Sequence, residues 1–250
     1  MEEREQRARR HHKVRLPQGK TLLLFALVVI AAMGVLFSPI FAIDTITITG
    51  LSHFSEADIC QICGLEKGQN LFSFRTKKAV DALKKESYIE SVQMEKQFPN
   101  AVNIDVTERK VRGYIPYMGS YLYIDENCRV LEINGAFTQP LPVVKGLVFD
   151  QFTLGEVIET ENPEALDVVV RIAQAMTKYE MLDMVVELDV SDTSNIKAFV
   201  NQVEVNLGTI SDYDTKVRTM CEIVKQIPEN DRGTLDLSDL SKPIVFKYLT

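Results

Sequence analysis

Residues 21–43 (TLLLFALVVIAAMGVLFSPIFAI) carry no ionisable side chain. Such a run is long enough to cross a hydrocarbon core of about 30 Å, which takes roughly 20 apolar residues at helical rise. The period then changes to two: Ile46 and Ile48 alternate with Thr45, Thr47 and Thr49 before Gly50, the pattern of a half-buried strand. Ser55, with Asp58 three residues on, precedes Ile59 and Ile62, and Gly64 stops the run, which predicts a short capped helix. A loop at Gly68-Gln69-Asn70 is expected to return Leu71 and Phe72 to the core. A second helix places Ala79, Val80 and Leu83 on one face, with Lys77, Lys78, Lys84 and Lys85 mostly on the other. Val92 and Met94, a Phe98-Pro99-Asn100 turn, and Val102, Ile104 and Val106 alternating with polar residues predict a hairpin. The order over 44–111 is therefore strand, helix, helix, strand, strand.

A second unit covers 112–250. Short strands are predicted at 112–117, 121–124 and 129–133, separated by Gly119-Ser120 and by Asp125-Glu126-Asn127, after which Pro140 and Pro142 interrupt the pattern. Asn162-Pro163-Glu164 supplies cap, proline and first-turn acid of a helix that should bury Leu166, Val169, Val170, Ala173 and Met176. Strands follow at 185–188, 196–200 and 203–207. Asp212 then begins a helix with Val217, Met220, Cys221 and Val224 inward, ended by Pro228, and two last strands lie around 235–237 and 244–249. The expected class is α+β, with a mixed β-sheet domain carrying helices, and no internal repeat is present.

Charge changes this picture by giving the chain a direction. The 250 residues hold 28 Lys and Arg against 35 Asp and Glu, a net charge of -7, which disfavours a nucleic-acid binder held by phosphate contacts. Yet Arg4, Arg7, Arg9, Arg10, Lys13, Arg15 and Lys20 face only Glu2, Glu3 and Glu5 in residues 1–20, so that tail is +4 and the remainder -11. The positive-inside rule makes 1–20 a cytoplasmic basic tail, 21–43 a transmembrane helix and the rest an extracytoplasmic body, a single-pass type II cell-membrane protein. A cleaved signal peptide fits less well, because its apolar core is about 7–15 residues and Pro39-Ile40-Phe41 before Ala42 is a poor small-x-small site. Gly34, Ser38 and Ala42 recur every four residues, a face suited to packing on another helix.

Candidate chemistry is sparse. Cys60-Gln61-Ile62-Cys63 is a C-x-x-C, but it falls at the far end of a short helix, whereas a redox pair sits at a helix N-terminus where the dipole lowers the thiol pKa. Two apolar fillers are the expected reading, with an anchored thiol oxidoreductase as the alternative. His53 is the only imidazole beyond the tail and stands in a turn between Ser52 and Phe54, with no nucleophile motif nearby. No zinc spacing occurs. No catalytic residue, cofactor, metal or small-molecule substrate is therefore expected. Ile244, Val245, Phe246, Lys247, Tyr248 and Leu249 form a β-prone segment near the chain end. At a sheet edge it would either pack on its own sheet alone or also receive a strand from another protein.

The motifs, taken in order, carry a resemblance. They are I-x-I-x-G (Ile46, Ile48, Gly50), S-x-x-x-I (Ser55, Ile59), G-L-x-x-G-x-N-L-F (Gly64, Leu65, Gly68, Asn70, Leu71, Phe72), F-P-x-x-V-x-I-x-V-x-E-R (Phe98, Pro99, Val102, Ile104, Val106, Glu108, Arg109), I-D (Ile124, Asp125), a helix with Tyr213, Lys216 and Val217, and G-x-L-D-L (Gly233, Leu235, Asp236, Leu237). Behind a basic tail and one span, this order resembles the FtsQ/DivIB family of bacterial cell-division proteins. The resemblance implies a POTRA (polypeptide-transport-associated) domain at 44–111 and a β domain at 112–250. It further implies a non-enzymatic scaffold at the division septum that helps couple septum formation to peptidoglycan synthesis. FtsB/DivIC-like and FtsL-like single-span proteins are its implied partners, received near the last strands, at 244–249. Cys128 departs from the glycine that the family usually places after I-D, so Asn127 is expected to take the left-handed turn position. A POTRA protein of outer-membrane transport would normally need a long β-barrel, for which 112–250 leaves too little chain.

Overall fold

The computed structural model describes residues 18–228 and 230–249, and residues 1–17 of the basic tail lie outside them. Helix α1 (Gln18–Leu36) leads, and its side chains from Thr21 on are exposed on every side. The helix expected over 21–43 is cut short at Leu36. Ser38 is extended (φ -63, ψ 147) and starts a 3-10 turn, Pro39–Phe41. The reason is local: the residue before a proline is driven out of the helical region, and Pro39 has no N–H with which to continue the ladder. Gly34, Ser38 and Ala42 therefore share no helix face. Among the described residues no helix is long and apolar enough to cross a membrane.

The first domain has the elements in the predicted order: β1 (Thr45–Thr49), α2 (Glu56–Cys63), α3 (Thr76–Leu83), β2 (Ile89–Gln97) and β3 (Ala101–Glu108). Its sheet runs β1-β3-β2, with Ile46 and Ile48 beside Val102 and Ile104 in the parallel pair, and Val92 and Met94 opposite Val106 and Ile104 in the antiparallel one. The alternating apolar face buries Val102 and Ile104 against Ile59 of α2 and Leu83 of α3. Ser55 and Asp58 form the capping box that starts α2, and Gly64 ends it in the left-handed region. One expectation fails here: Leu71 is fully buried, but Phe72 is exposed. Asn70 Oδ1 accepts from Phe72 N at 2.9 Å, a turn that points the ring outward.

At the end of β3 the Glu108 carboxylate is buried and gathers the 52–54 loop. Ser52 N, Ser52 Oγ and His53 N donate to its Oε2 at 2.8, 2.6 and 2.6 Å, and Phe54 N donates to Oε1 at 3.1 Å. His53 itself is exposed and stacks on Tyr88 with ring centroids 3.7 Å apart.

The second domain is one nine-stranded sheet in the order β12-β11-β10-β9-β8-β7-β4-β5-β6. Its strands are β4 (Gly113–Tyr117), β5 (Ser120–Ile124), β6 (Val130–Asn134), β7 (Val143–Lys145), β8 (Val185–Asp189), β9 (Ile196–Val200), β10 (Val203–Gly208), β11 (Gly233–Asp236) and β12 (Phe246–Tyr248). The three-residue β7 has no counterpart among the predicted strands, although it joins β4 to β8 by parallel pairing on both sides. Helices α4 (Pro163–Lys178) and α5 (Tyr213–Val224) share a core with the sheet residues Leu122, Ile124, Val144, Leu188, Ala198 and Val205. The buried stripe of α4 is Ala165, Val168, Val169, Ile172, Ala175 and Met176, so Leu166, Val170 and Ala173 flank that stripe, half-buried. In the turn after β5 the left-handed residue is Cys128 itself (φ 58), not Asn127. Asp125 Oδ1 accepts from Asn127 N and Arg129 N at 2.8 and 2.9 Å, and Cys128 N donates to the Asp125 carbonyl at 3.1 Å. These three bonds leave Cys128 to make the reversal.

The two domains meet along the β6 end of the large sheet. Ser87 Oγ donates to Leu131 O at 2.5 Å, Tyr88 OH to Glu132 at 2.8 Å, and Arg109 pairs with the buried Asp125 at 3.4 Å. The backbone of 155–156 also takes both polar groups of Val130, Gly155 N donating to its carbonyl and its N–H to Glu156 O. The outer edge of β6 is thus occupied at Val130 and Leu131.

Burial pushes the Glu108 carboxyl up, but the Ser52 hydroxyl and the N–H groups of His53, Phe54 and Ser52 outweigh it and hold the group below its usual range. The stability it contributes is therefore present at neutral pH and is lost as pH falls below about 4.3. Glu108→Gln, which replaces two acceptor oxygens by one, should lower the unfolding free energy at pH 7 by about 1–3 kcal/mol and reduce the loss of stability on acidification. Urea midpoints from pH 7 to pH 3 measure both.

Candidate partner-binding edge

The segment singled out at the chain end lies at the open edge of the nine-stranded sheet. It forms a shorter strand than expected: Phe246, Lys247 and Tyr248 make β12, while Ile244, Val245 and Leu249 flank it. The limit comes from its partner. β11 has four residues, and its pairing with β12 joins Gly233, Thr234 and Leu235 to Tyr248, Lys247 and Phe246. Behind it, β11 is tied in parallel to β10, Val205 beside Leu235, and Leu237 N donates to Asn206 O at 2.8 Å.

Gly233 makes the seating of β12 possible. A Cβ there would lie 2.2 Å from the Phe246 ring carbon Cζ, so only glycine lets the ring rest on the backbone of β11. From that seat Phe246 packs half-buried against the main core and meets Tyr248 edge-on at 4.7 Å. Leu249 N donates to Arg232 O at 2.9 Å, which fixes the alternation of the pair. Lys247 turns its N–H and C=O toward β11, while those of Phe246 and Tyr248 point away from the sheet. Around them Val245, Tyr248 and Leu249 are 55%, 67% and 61% exposed.

Next to this edge α5 is locked to the sheet by a buried cation. Lys216 Nζ donates to Leu207 O and Thr209 O at 2.8 and 2.9 Å, and burial lowers its pKa although Asp212 and Asp239 act to raise it. The loop before β12 is ordered by Asp239. The Ser241 hydroxyl first, then Lys242 and the Ser241 N–H, bring that carboxyl down to about 2. On the sheet face Glu204, Asn206, Thr234, Asp236 and Lys247 line, with Leu235 and Val245, a depression of about 200 Å³. The edge can thus offer backbone groups and apolar side chains, with mixed charge beside them.

All four cysteines are free thiols. Cys60 and Cys63 lie in the second half of α2, away from the positive end of its dipole. Burial raises the Cys60 thiol and pushes Cys63 up to about 12, the opposite of what an attacking thiolate needs. The geometry therefore gives no support to thiol chemistry at this pair. Cys128 is buried, its thiol pushed up to about 12, and Cys221 donates to Tyr179 O at 3.6 Å. Sequence reasoning finds the strand but not its seat: Gly233 and Arg232 stand just outside the hydrophobic pattern, and only the glycine in G-x-L-D-L marks the place.

Two family models match the chain: the POTRA domain of FtsQ type over residues 41–109, and the C-terminal region of cell division protein FtsQ/DivIB over 113–240. The second match ends before β12 begins. Curated relatives include the cell division protein DivIB of Listeria monocytogenes, 26% identical over 92% of this chain and 82% of that protein. The DivIB of Staphylococcus aureus strain MRSA252 is 24% identical over 80% of this chain, which spans only 43% of that longer protein. The cell division protein FtsQ of Myxococcus fulvus is 21% identical over 77% and 67%. A solved structure of the major extracytoplasmic domain of DivIB from Geobacillus stearothermophilus aligns over 50% of this chain and 98% of that one, at 16% identity and a TM-score of 0.34.

Replacing Gly233 by valine should unseat the Phe246 ring and free β12 while leaving the central strands intact. Hydrogen exchange should then speed up at the Leu249 amide and stay unchanged across β8, β9 and β10.

Proposed function

The chain belongs to the FtsQ/DivIB family of cell-division proteins, and from that premise we propose that it is a non-enzymatic scaffold of the divisome that binds its partners along β12. The single observation that carries this reading is the outward-facing edge at Phe246 and Tyr248, the end of the large sheet that no other described strand covers, while β6 is held at Val130 and Leu131. Partners of the FtsB/DivIC and FtsL kind, single-span proteins of the same membrane, would add a strand there. Through them the chain would help couple septum formation to peptidoglycan synthesis.

Magnitudes decide what else such a site needs. Two residues offer about four backbone hydrogen bonds, each contributing about 1 kcal/mol net, against an association cost of at least about 4 kcal/mol. Backbone pairing alone would leave no affinity. The exposed side chains of Ile244, Val245, Tyr248 and Leu249 would have to supply the rest, as apolar anchors do at other interfaces.

The anchoring is part of the proposal: 1–20 as a cytoplasmic tail, a membrane segment over 21–43, a POTRA domain over 44–111 and a β domain over 112–250, outside the cell membrane at the septum. Its support is α1, whose residues from Leu22 on are all apolar and exposed on every side among the described residues, a pattern that belongs in lipid rather than water. Confinement to the membrane plane would raise the encounter rate with other single-span proteins.

The test uses the full chain in detergent, with FtsB/DivIC-like and FtsL-like proteins as prey. Phe246→Asp and Tyr248→Asp, each first shown to melt like wild type, should lower capture roughly tenfold or more, about 1.4 kcal/mol per decade. Unchanged capture by both folded variants would move the site elsewhere.

A further inference from the structure

At the end of the first domain where α1 leaves it, three segments bring apolar side chains together. Phe41 closes the 3-10 turn half-buried, Phe72 lies in the loop after α2 and Phe98 in the β2–β3 turn, these two 43% and 63% exposed, and Phe37 and Ile40 of the Phe41 stretch are 68% and 64% exposed. Phe72 is the centre, with its ring 4.9 Å from that of Phe41 and 5.5 Å from that of Phe98. The group is rigidly held. Asn70 Nδ2 donates to Leu36 O at 2.8 Å, Leu71 N to Phe41 O at 2.8 Å, and Asp44 N to Asn100 O at 2.9 Å, so both loops are bonded to the last residue of α1 or to the chain that follows it. Chance exposure of one phenylalanine is ordinary, whereas a fixed contiguous cluster marks an interaction surface.

The geometry points to the lipid of the membrane that holds α1 as the occupant: the cluster is a ledge set into the outer boundary of the bilayer, which fixes how the first domain stands on it. This rests on the anchoring proposed above. Two observations choose lipid over a protein partner. The ledge is continuous with α1, whose residues from Leu22 to Leu36 are all apolar and exposed. The helical part free of ionisable groups, 21–36, is also about 24 Å long at helical rise, about 6 Å short of a hydrocarbon core of about 30 Å. A short span is accommodated by thinning the bilayer or by drawing adjacent residues into it. The ledge stands where that deficit falls, and its phenylalanines would fill it.

The chain has no tryptophan, so each substitution to tryptophan adds a single reporter. Phe72→Trp, Phe98→Trp, Leu27→Trp in α1 and Met118→Trp in the second domain would be placed one at a time in the full chain. Each variant, with its melting checked against wild type, would be reconstituted in phosphatidylethanolamine and phosphatidylglycerol vesicles with and without acyl-brominated lipid. We expect emission from Phe72→Trp and Phe98→Trp to fall roughly twofold or more, as for groups at the interfacial level, with Leu27→Trp quenched and Met118→Trp unaffected. If Leu27→Trp is quenched and both ledge reporters are not, the ledge is overturned and the anchor stands. Shielding of the ledge reporters by a second copy or another protein gives that same pattern and overturns the ledge equally. If Leu27→Trp is not quenched, the anchor fails and the ledge fails with it.

Discussion

Successive side chains of a strand point to opposite sides, and at the end of β3 that alternation sets the plan of the molecule. Glu108 turns into the first domain and collects the donors of 52–54, while Arg109 turns toward the second and meets Asp125. Four residues later β4 begins. With so little chain between the domains, the buried carboxylate and its neighbour act as a hinge pin. The loop that Glu108 orders carries His53 onto Tyr88, and Tyr88 reaches on to Glu132 of β6. A carboxylate buried without those donors would cost more than it returns, so the loop and the strand end are conditions of each other.

Legibility follows the range of the interactions. Strands such as β3, with three apolar residues alternating over a polar face, and α2, with its capping box, are specified by near neighbours and can be read from the sequence. β7 cannot, because Val143-Val144-Lys145 has no alternation to show and exists only through its partners β4 and β8, distant in sequence. On α4 the apolar residues occupy more than one face, and the sheet beneath, not the helix, selects Val168, Ile172 and Ala175 for full burial. Asn70 and Asp125 show the same effect in turns: their side-chain hydrogen bonds rotate Phe72 outward and give Cys128 the left-handed position, at a conformational cost a glycine would not incur.

For the candidate site, the β-prone string at the chain end is visible in the sequence, but its standing is not. Whether a strand is central or at an edge is decided by sheet order, here by the parallel insertion of β11 beside β10, which no local pattern announces. Its length is set by the four residues of β11, and its seat by an absent side chain at Gly233. The same holds for the aromatic ledge, whose members come from three separate stretches of sequence that meet only in the fold.

One property of the large sheet reaches beyond the single molecule. Its two ends are unequal, since β6 is held at Val130 and Leu131 by the chain's own 155–156 segment and by Ser87, whereas among the described residues β12 has no strand on its outer side. Sheets whose two ends both accept strands can grow by head-to-tail repetition, and covering part of one end works against such growth. The part-covered β6 thus works against the stacking of copies, although Ile133 beyond the covered stretch stays 44% exposed. With a partner strand on β12, as proposed above, the sheet would keep little edge from which to extend further.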